Sequence, residues 1–185
     1  MKNKGRLIVL SGPSGCGKNT VYEALKALDP TVTQTVSATT RAPRTGETDG
    51  IDYYFLSEAG FREKIEADAF VEYVRYGENY YGTLKSEVAR LLAEQKTVVL
   101  IIEVNGARNV KHIYPEATTI FILPPSMEVL RQRLVQRGET TDEETERRIR
   151  IAETEMECRD QYDYRVVNDD LDRCVRDVYH IINNA

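Results

Sequence analysis

A chain of 185 residues, 41% hydrophobic and 30% charged, carries enough apolar material to bury the core of one domain of common size. Its formal net charge of -5 excludes a global pull toward nucleic acid or an anionic membrane, so a nucleotide-binding role requires a local basic site inside an acidic protein. Three widely spaced cysteines, Cys16, Cys158 and Cys174, form neither a disulfide framework nor a zinc pattern, and the apolar run Leu7–Leu10 is too short for a signal core or a membrane span. Reduced thiols and a cytoplasmic location are expected, with no nucleic-acid or membrane partner.

In chain order, Leu7–Leu10 reads as a buried strand, followed by a glycine-rich turn and a helix over Thr20–Leu28 that Pro30 stops. The stretch Thr33–Gly82 changes character. It is rich in Thr, Tyr and turn residues, with strand-like pieces at Tyr53–Leu56 and Phe70–Val74 around a helix at Gly60–Ala67, as expected of a small inserted lobe. Lys85–Glu94 reads as a helix, Thr97–Val104 as a central parallel strand, and Asn105–Ile113 as a short helix. Thr118–Leu123 is another buried strand, ended by Pro124-Pro125. A helix from Ser126 to Arg137 closes on Gly138, and Thr141 with Glu144 forms a capping box for a second helix reaching Cys158. Tyr164–Val167 is a last strand, and Leu171, Val175, Val178 and Ile182 recur at helical spacing.

This order predicts an α/β fold: a parallel sheet flanked by helices, with ligands at the carboxyl ends of the strands. The expected organisation is one domain, with a core of 1–34, 84–125 and 158–185, an inserted lobe of 35–83 and a helical lid of 126–157.

Gly12-Pro13-Ser14-Gly15-Cys16-Gly17-Lys18 matches the spacing G-x-x-x-x-G-K between a strand and a helix, the context that makes this motif a phosphate loop. Glycines let successive N–H groups point at phosphate oxygens, the helix N-terminus adds positive potential, and Lys18 supplies a full charge. Asn19 stands where Ser or Thr would offer a hydroxyl to magnesium, and Thr20 comes one residue later. A helix turns about 100° per residue, so Thr20 is no simple replacement. Asn19 is the candidate metal residue, and three routes for Mg2+ stay open: through Asn19, through waters, or mostly through the nucleotide, since magnesium often keeps several waters.

The stretch Val36-Ser37-Ala38-Thr39-Thr40-Arg41-Ala42-Pro43-Arg44 places two guanidiniums three residues apart about a stiffening proline, a pattern suited to one phosphate. Tyr53, Glu72 and Asn79-Tyr80-Tyr81-Gly82-Thr83 follow. Taken singly, each is equally well a surface ion pair or a strand aromatic. Together, in this order, they resemble the guanylate kinase family from the phosphate loop to Asn168-Asp169. The resemblance implies ATP and GMP as substrates. It implies that Arg41, Arg44, Tyr53 and Tyr81 hold the GMP phosphate, with Gly82 beside them. It also implies that Ser37, Glu72 and Thr83 read guanine, with Glu103 nearby. A carboxylate facing guanine N1–H and N2 distinguishes it from adenine, which lacks that donor pair.

The resemblance frays at the central strand, where Ile101-Ile102-Glu103-Val104-Asn105-Gly106 stands against a family pattern of acid, apolar, Asp, any residue, Gln-Gly. Ile101 removes an acid near the metal region. Between Arg131 and Arg150 lie six arginines, and Arg133 and Arg137 share a helix face. The stretch is similar to the lid of nucleoside monophosphate kinases, which implies transition-state contacts for Arg137 and Arg148 with support from Arg133. Arg131, Arg147 and Arg150 read instead as surface partners of nearby acids. Lys18, Arg41, Arg137 and Arg148 are thus the expected catalytic group. ATP is expected on residues 12–20, with Arg133 and Asn168. Two other readings stay open: a binding module of the same shape without turnover, and a kinase for another nucleoside monophosphate.

Overall fold

The computed structural model describes residues 5–136 and 142–184. Two sheets organise the chain. The core sheet is parallel, in the order β2-β7-β1-β8-β9, built from β1 (Arg6–Ser11), β2 (Val32–Gln34), β7 (Thr97–Ile101), β8 (Thr118–Leu123) and β9 (Tyr164–Val167). Its central strands are continuous apolar runs because helices cover both faces. Ile8, Leu10, Val99, Ile120 and Ile122 pack on one side with α1 (Lys18–Leu28) and α7 (Leu171–Asn184). Leu7, Val9, Val98, Leu100 and Phe121 pack on the other with α3 (Lys85–Ala93) and α4 (Val104–Ile113).

The second sheet has four strands in the order β4-β3-β6-β5: β3 (Ala38–Thr39), β4 (Tyr54–Phe55), β5 (Phe70–Tyr76) and β6 (Asn79–Leu84). Its small core is Ala38, Phe61, Phe70 and Leu84, with α2 (Glu58–Glu66) supplying Phe61. Phe61 stacks on Phe70 at 4.4 Å and on Tyr80 at 5.3 Å between ring centroids. Ser57 caps α2 by accepting the Gly60 N–H.

The last two helices, α5 (Met127–Gln136) and α6 (Asp142–Glu157), pack through Leu130, Leu134, Ile149 and Ala152. The strand expected over Thr97–Val104 stops at Ile101, because Val104 already opens α4. The α1 helix begins two residues before the expected Thr20, directly on Lys18. Arg137 and Thr141 lie outside the described residues.

Candidate functional site

A cleft of about 680 Å³ opens at the carboxyl ends of β1 and β7, between the second sheet and α6. The phosphate loop forms its floor with Gly12, Ser14 and Lys18. Backbone conformation explains the glycines at two positions. Gly12 has φ +138, and a Cβ there would lie 2.3 Å from the Ile122 carbonyl oxygen. Gly17 has φ +98, and its Cβ would lie 2.4 Å from Asn168 Nδ2. Any side chain would break the loop's seat on β8 and on the turn after β9.

Lys18 Nζ donates to the Gly12 and Pro13 carbonyls at 2.6 and 3.1 Å, so the charge sits over the loop. Asn168 is 6% exposed and donates from Nδ2 to the Cys16 carbonyl at 2.8 Å. Its own carbonyl accepts from Arg133 at 3.0 Å. Asn168 is thus tied to the loop, and Arg133 to Asn168. A second guanidinium nitrogen of Arg133 is buried without a protein partner. Burial pushes the Cys16 thiol up while Lys18 opposes it, so Cys16 packs the loop as an inert thiol. Asn19 and Thr20 are exposed and do not line the cleft.

The opposite wall belongs to the second sheet: Ser37, Tyr53, Glu72, Tyr81, Gly82 and Thr83 all line the cleft. A register shift between Phe70 and Glu72 sets Glu72 opposite Thr83, and the Thr83 hydroxyl donates to Glu72 Oε1 at 2.7 Å. Burial raises the Glu72 carboxyl; the Thr83 hydrogen bond opposes this and the Glu103 charge adds to it.

Arg41 lies 5.4 Å from the Tyr53 ring centroid, and Tyr53 meets Tyr81 edge-on at 6.2 Å. Arg41 also donates to Glu47 Oε1 at 2.8 Å, and the Arg44 backbone N–H donates to Glu47 Oε2 at 2.7 Å. Glu47 thus ties the two arginine segments together. Arg41 lies half-buried against Tyr53, Glu47 holds the exposed Arg44 by its backbone, and neither arginine is in the cleft lining.

The third wall is α6. Glu144, Arg148, Ile151 and Glu155 line the cleft at helical spacing, and Arg147 joins them. Arg147 keeps the surface role expected of it, exposed and paired with Glu144 at the cleft's rim. Glu144 accepts from Arg147 at 2.7 and 2.8 Å and from Arg148 at 3.3 Å. The Arg147 bond, with help from Arg148, holds the Glu144 carboxyl at about 2. Arg131 pairs with Glu146, and Arg150 is exposed. Glu155 faces Lys18, Glu103 and the Ser14 backbone N–H, and burial raises it. The i, i+4, i+7, i+11 stripe from Glu144 to Glu155 is the sequence signal for Glu155, masked by the density of charge around it.

Among the described residues no cluster of three or more His, Cys, Asp or Glu could hold a metal by itself. Ile101 lines the cleft where the family pattern has an acid, and Asn19 is exposed outside the lining. Glu103 and Glu155 supply hard oxygen donors beside Lys18. That donor set fits a magnesium ion held mostly by nucleotide phosphates and waters, not one caged by protein.

A family model described as guanylate kinase matches residues 4–185. A guanylate kinase of Caldanaerobacter subterraneus subsp. tengcongensis is 47% identical over 182 residues, covering 98% of this chain and 88% of that protein. One from Synechocystis sp. is 45% identical over 179 residues, covering 97% and 94%. Among solved structures, guanylate kinase from Anaplasma phagocytophilum superposes with a TM-score of 0.72 at 29% identity, over 99% of this chain and 87% of that one. Shikimate kinase from Bacteroides thetaiotaomicron matches with a TM-score of 0.54 at 20% identity, a likeness of fold alone.

Proposed function

The chain belongs to the guanylate kinase family, and from that premise we propose the reaction ATP + GMP ⇌ ADP + GDP, with dGMP as a second acceptor and a place in cytoplasmic purine nucleotide metabolism. The observation that carries this reading is the shared cleft: a phosphate loop on one wall faces Glu72, Thr83 and Ser37 on another.

A GMP phosphate oxygen attacks the γ-phosphorus of ATP in line, so no side-chain nucleophile is needed. The protein contributes position and positive charge. The loop N–H groups and Lys18 hold the outer phosphates of ATP. Arg41, Tyr53 and Tyr81 hold the GMP phosphate, with Arg44 swinging in from the surface. Glu72 accepts from guanine N1–H and N2, and Ser37 and Thr83 complete the ring's edge. Arg148 and Arg137 carry charge from the lid. Glu103 and Glu155 would hold the waters of a magnesium ion that enters with ATP. That ion neutralises charge on the outer phosphates when bound.

The test is ADP release with ATP and Mg2+ across GMP, dGMP, AMP, CMP and UMP. Turnover with GMP at least about a hundredfold above AMP, CMP and UMP is expected, the discrimination a buried polar contact can supply. Equal rates across the panel would overturn the guanine assignment, and binding of both nucleotides without turnover would overturn the enzyme.

A further inference from the structure

The chain passes between the core and the second sheet twice: outward through Thr35–Ser37, between β2 and β3, and back where β6 runs into α3 at Leu84 and Lys85. Glu87, in the first turn of α3, stands at this double crossing with only 3% of its side chain exposed. An acid in a helix's first turn stabilises the helix well enough while exposed. Burial of this one calls for another account, and its partners supply it.

Each carboxylate oxygen accepts two bonds. Oε1 takes the Val36 N–H at 3.5 Å and the Arg90 guanidinium at 2.9 Å. Oε2 takes the Tyr54 hydroxyl at 3.1 Å and Arg90 Nε at 3.1 Å. One donor thus comes from the outgoing crossing, one from β4 of the lobe, and a fork from the carboxylate's own helix. Burial works against the charge, yet the Arg90, Tyr54 and Val36 bonds together hold the Glu87 carboxyl below its ordinary range.

The donors are immediate chain neighbours of acceptor-site residues. Val36 precedes Ser37, and Tyr54 follows Tyr53; Ser37 and Tyr53 both line the cleft. The Tyr54 N–H also donates to the Ser37 carbonyl at 2.9 Å, which locks the two segments to each other. Whatever fixes Val36 and Tyr54 against α3 therefore fixes Ser37 and Tyr53 against the core that carries the phosphate loop.

We propose that Glu87 is a positioning residue for the nucleoside monophosphate acceptor, holding Ser37 and Tyr53 at their working distance from the phosphate loop without touching substrate. The inference rests on the reading of the lobe as the GMP site.

The experiment compares Glu87→Gln, Tyr54→Phe and the double variant with the parent chain. It measures KM for GMP and for ATP separately, GMP binding by calorimetry, and thermal melting. Glu87→Gln turns an amide toward Arg90, and its KM for GMP is expected to rise about tenfold, as for loss of a coupled buried network. KM for ATP should stay within twofold. Tyr54→Phe should raise the GMP value about threefold with little change in melting, and the double variant should be no worse than Glu87→Gln. Equal rises in both KM values, or a GMP value unchanged in Tyr54→Phe, would overturn the proposal. If Glu87→Gln does not fold, Tyr54→Phe decides alone. A parent chain that binds no GMP would instead bring down the acceptor reading, a result distinct from parent binding that the variants leave intact.

Discussion

The two halves of the cleft are made of different material. The phosphate loop is backbone: its working groups are N–H donors, and its side chains mostly serve to seat it. Asn168 donates to the loop's Cys16 carbonyl, Arg133 braces Asn168, and the Cys16 side chain is buried. The acceptor wall is the reverse. Its backbone is consumed by the four-stranded sheet, and recognition falls to side chains from β5, β6 and the crossing before β3. A site made of backbone occupies one stretch of chain and tolerates few changes of residue. A site made of side chains is assembled from distant stretches, and each member can be tuned alone.

The largest expected effect strikes the first half only. Lys18→Ala should lower kcat by about a thousandfold or more, the scale of losing a charged phosphate contact. GMP affinity by calorimetry should stay within about twofold. A parallel loss of GMP binding would mean the halves are not separable. Glu72→Gln strikes the other half. Loss of a buried charged acceptor costs about 1–3 kcal/mol, so kcat/KM for GMP should fall by roughly 5- to 150-fold while KM for ATP is unchanged.

Asn168→Ala sharpens the comparison, because it removes a side chain from a backbone-built site. The Cys16 carbonyl loses its partner, at about 1–3 kcal/mol of stability, read as a lower melting temperature with a raised KM for ATP. A drop in GMP affinity alone would contradict the fastening role.

The smallest effect is one of pH. Burial raises the free Glu72 carboxyl, with Thr83 opposing and Glu103 adding to the rise, and guanine's donors bind its ionised form. Bound GMP therefore lowers this pKa. Affinity is full above the free value and falls as pH drops through it. KM for GMP should climb on the acid side, by at most about tenfold per pH unit, and Glu72→Gln should flatten the curve.

The same contrast governs what was legible in the sequence. Gly12 to Lys18 declares itself because spacing, strand and helix are contiguous. Strands β7 and β8 declare themselves as apolar runs long enough to be buried on both faces. The short strands β2, β3 and β6 did not, being two to six residues long and rich in Thr, Tyr and Gly; only pairing with distant chain makes them strands. Glu72, Thr83 and Ser37 were reached through family likeness, while their bonding pattern depends on a bulge that no local signal marks. Glu155 escaped because the α6 helix is charged nearly all round, so its cleft-facing stripe has no contrast against its solvent face. Glu103 lines the cleft from the N-cap position of α4, two residues beyond the end of the strand expected to carry it.

The pairing of Ala38 with Gly82 has a consequence for how the molecule assembles. Strand β1 must wait for β7, about ninety residues later, before its first neighbour arrives, and long closures are slow because the entropy of the intervening chain is lost before any contact rewards it. The second sheet holds one local antiparallel hairpin, β5 with β6, and when β3 meets β6 the two ends of the inserted stretch come side by side. An insertion of some forty residues then behaves as a short connector. A lobe that folds early shortens the search for the central sheet, so weakening the Phe61 and Phe70 stack should slow the folding of strands that those rings never touch.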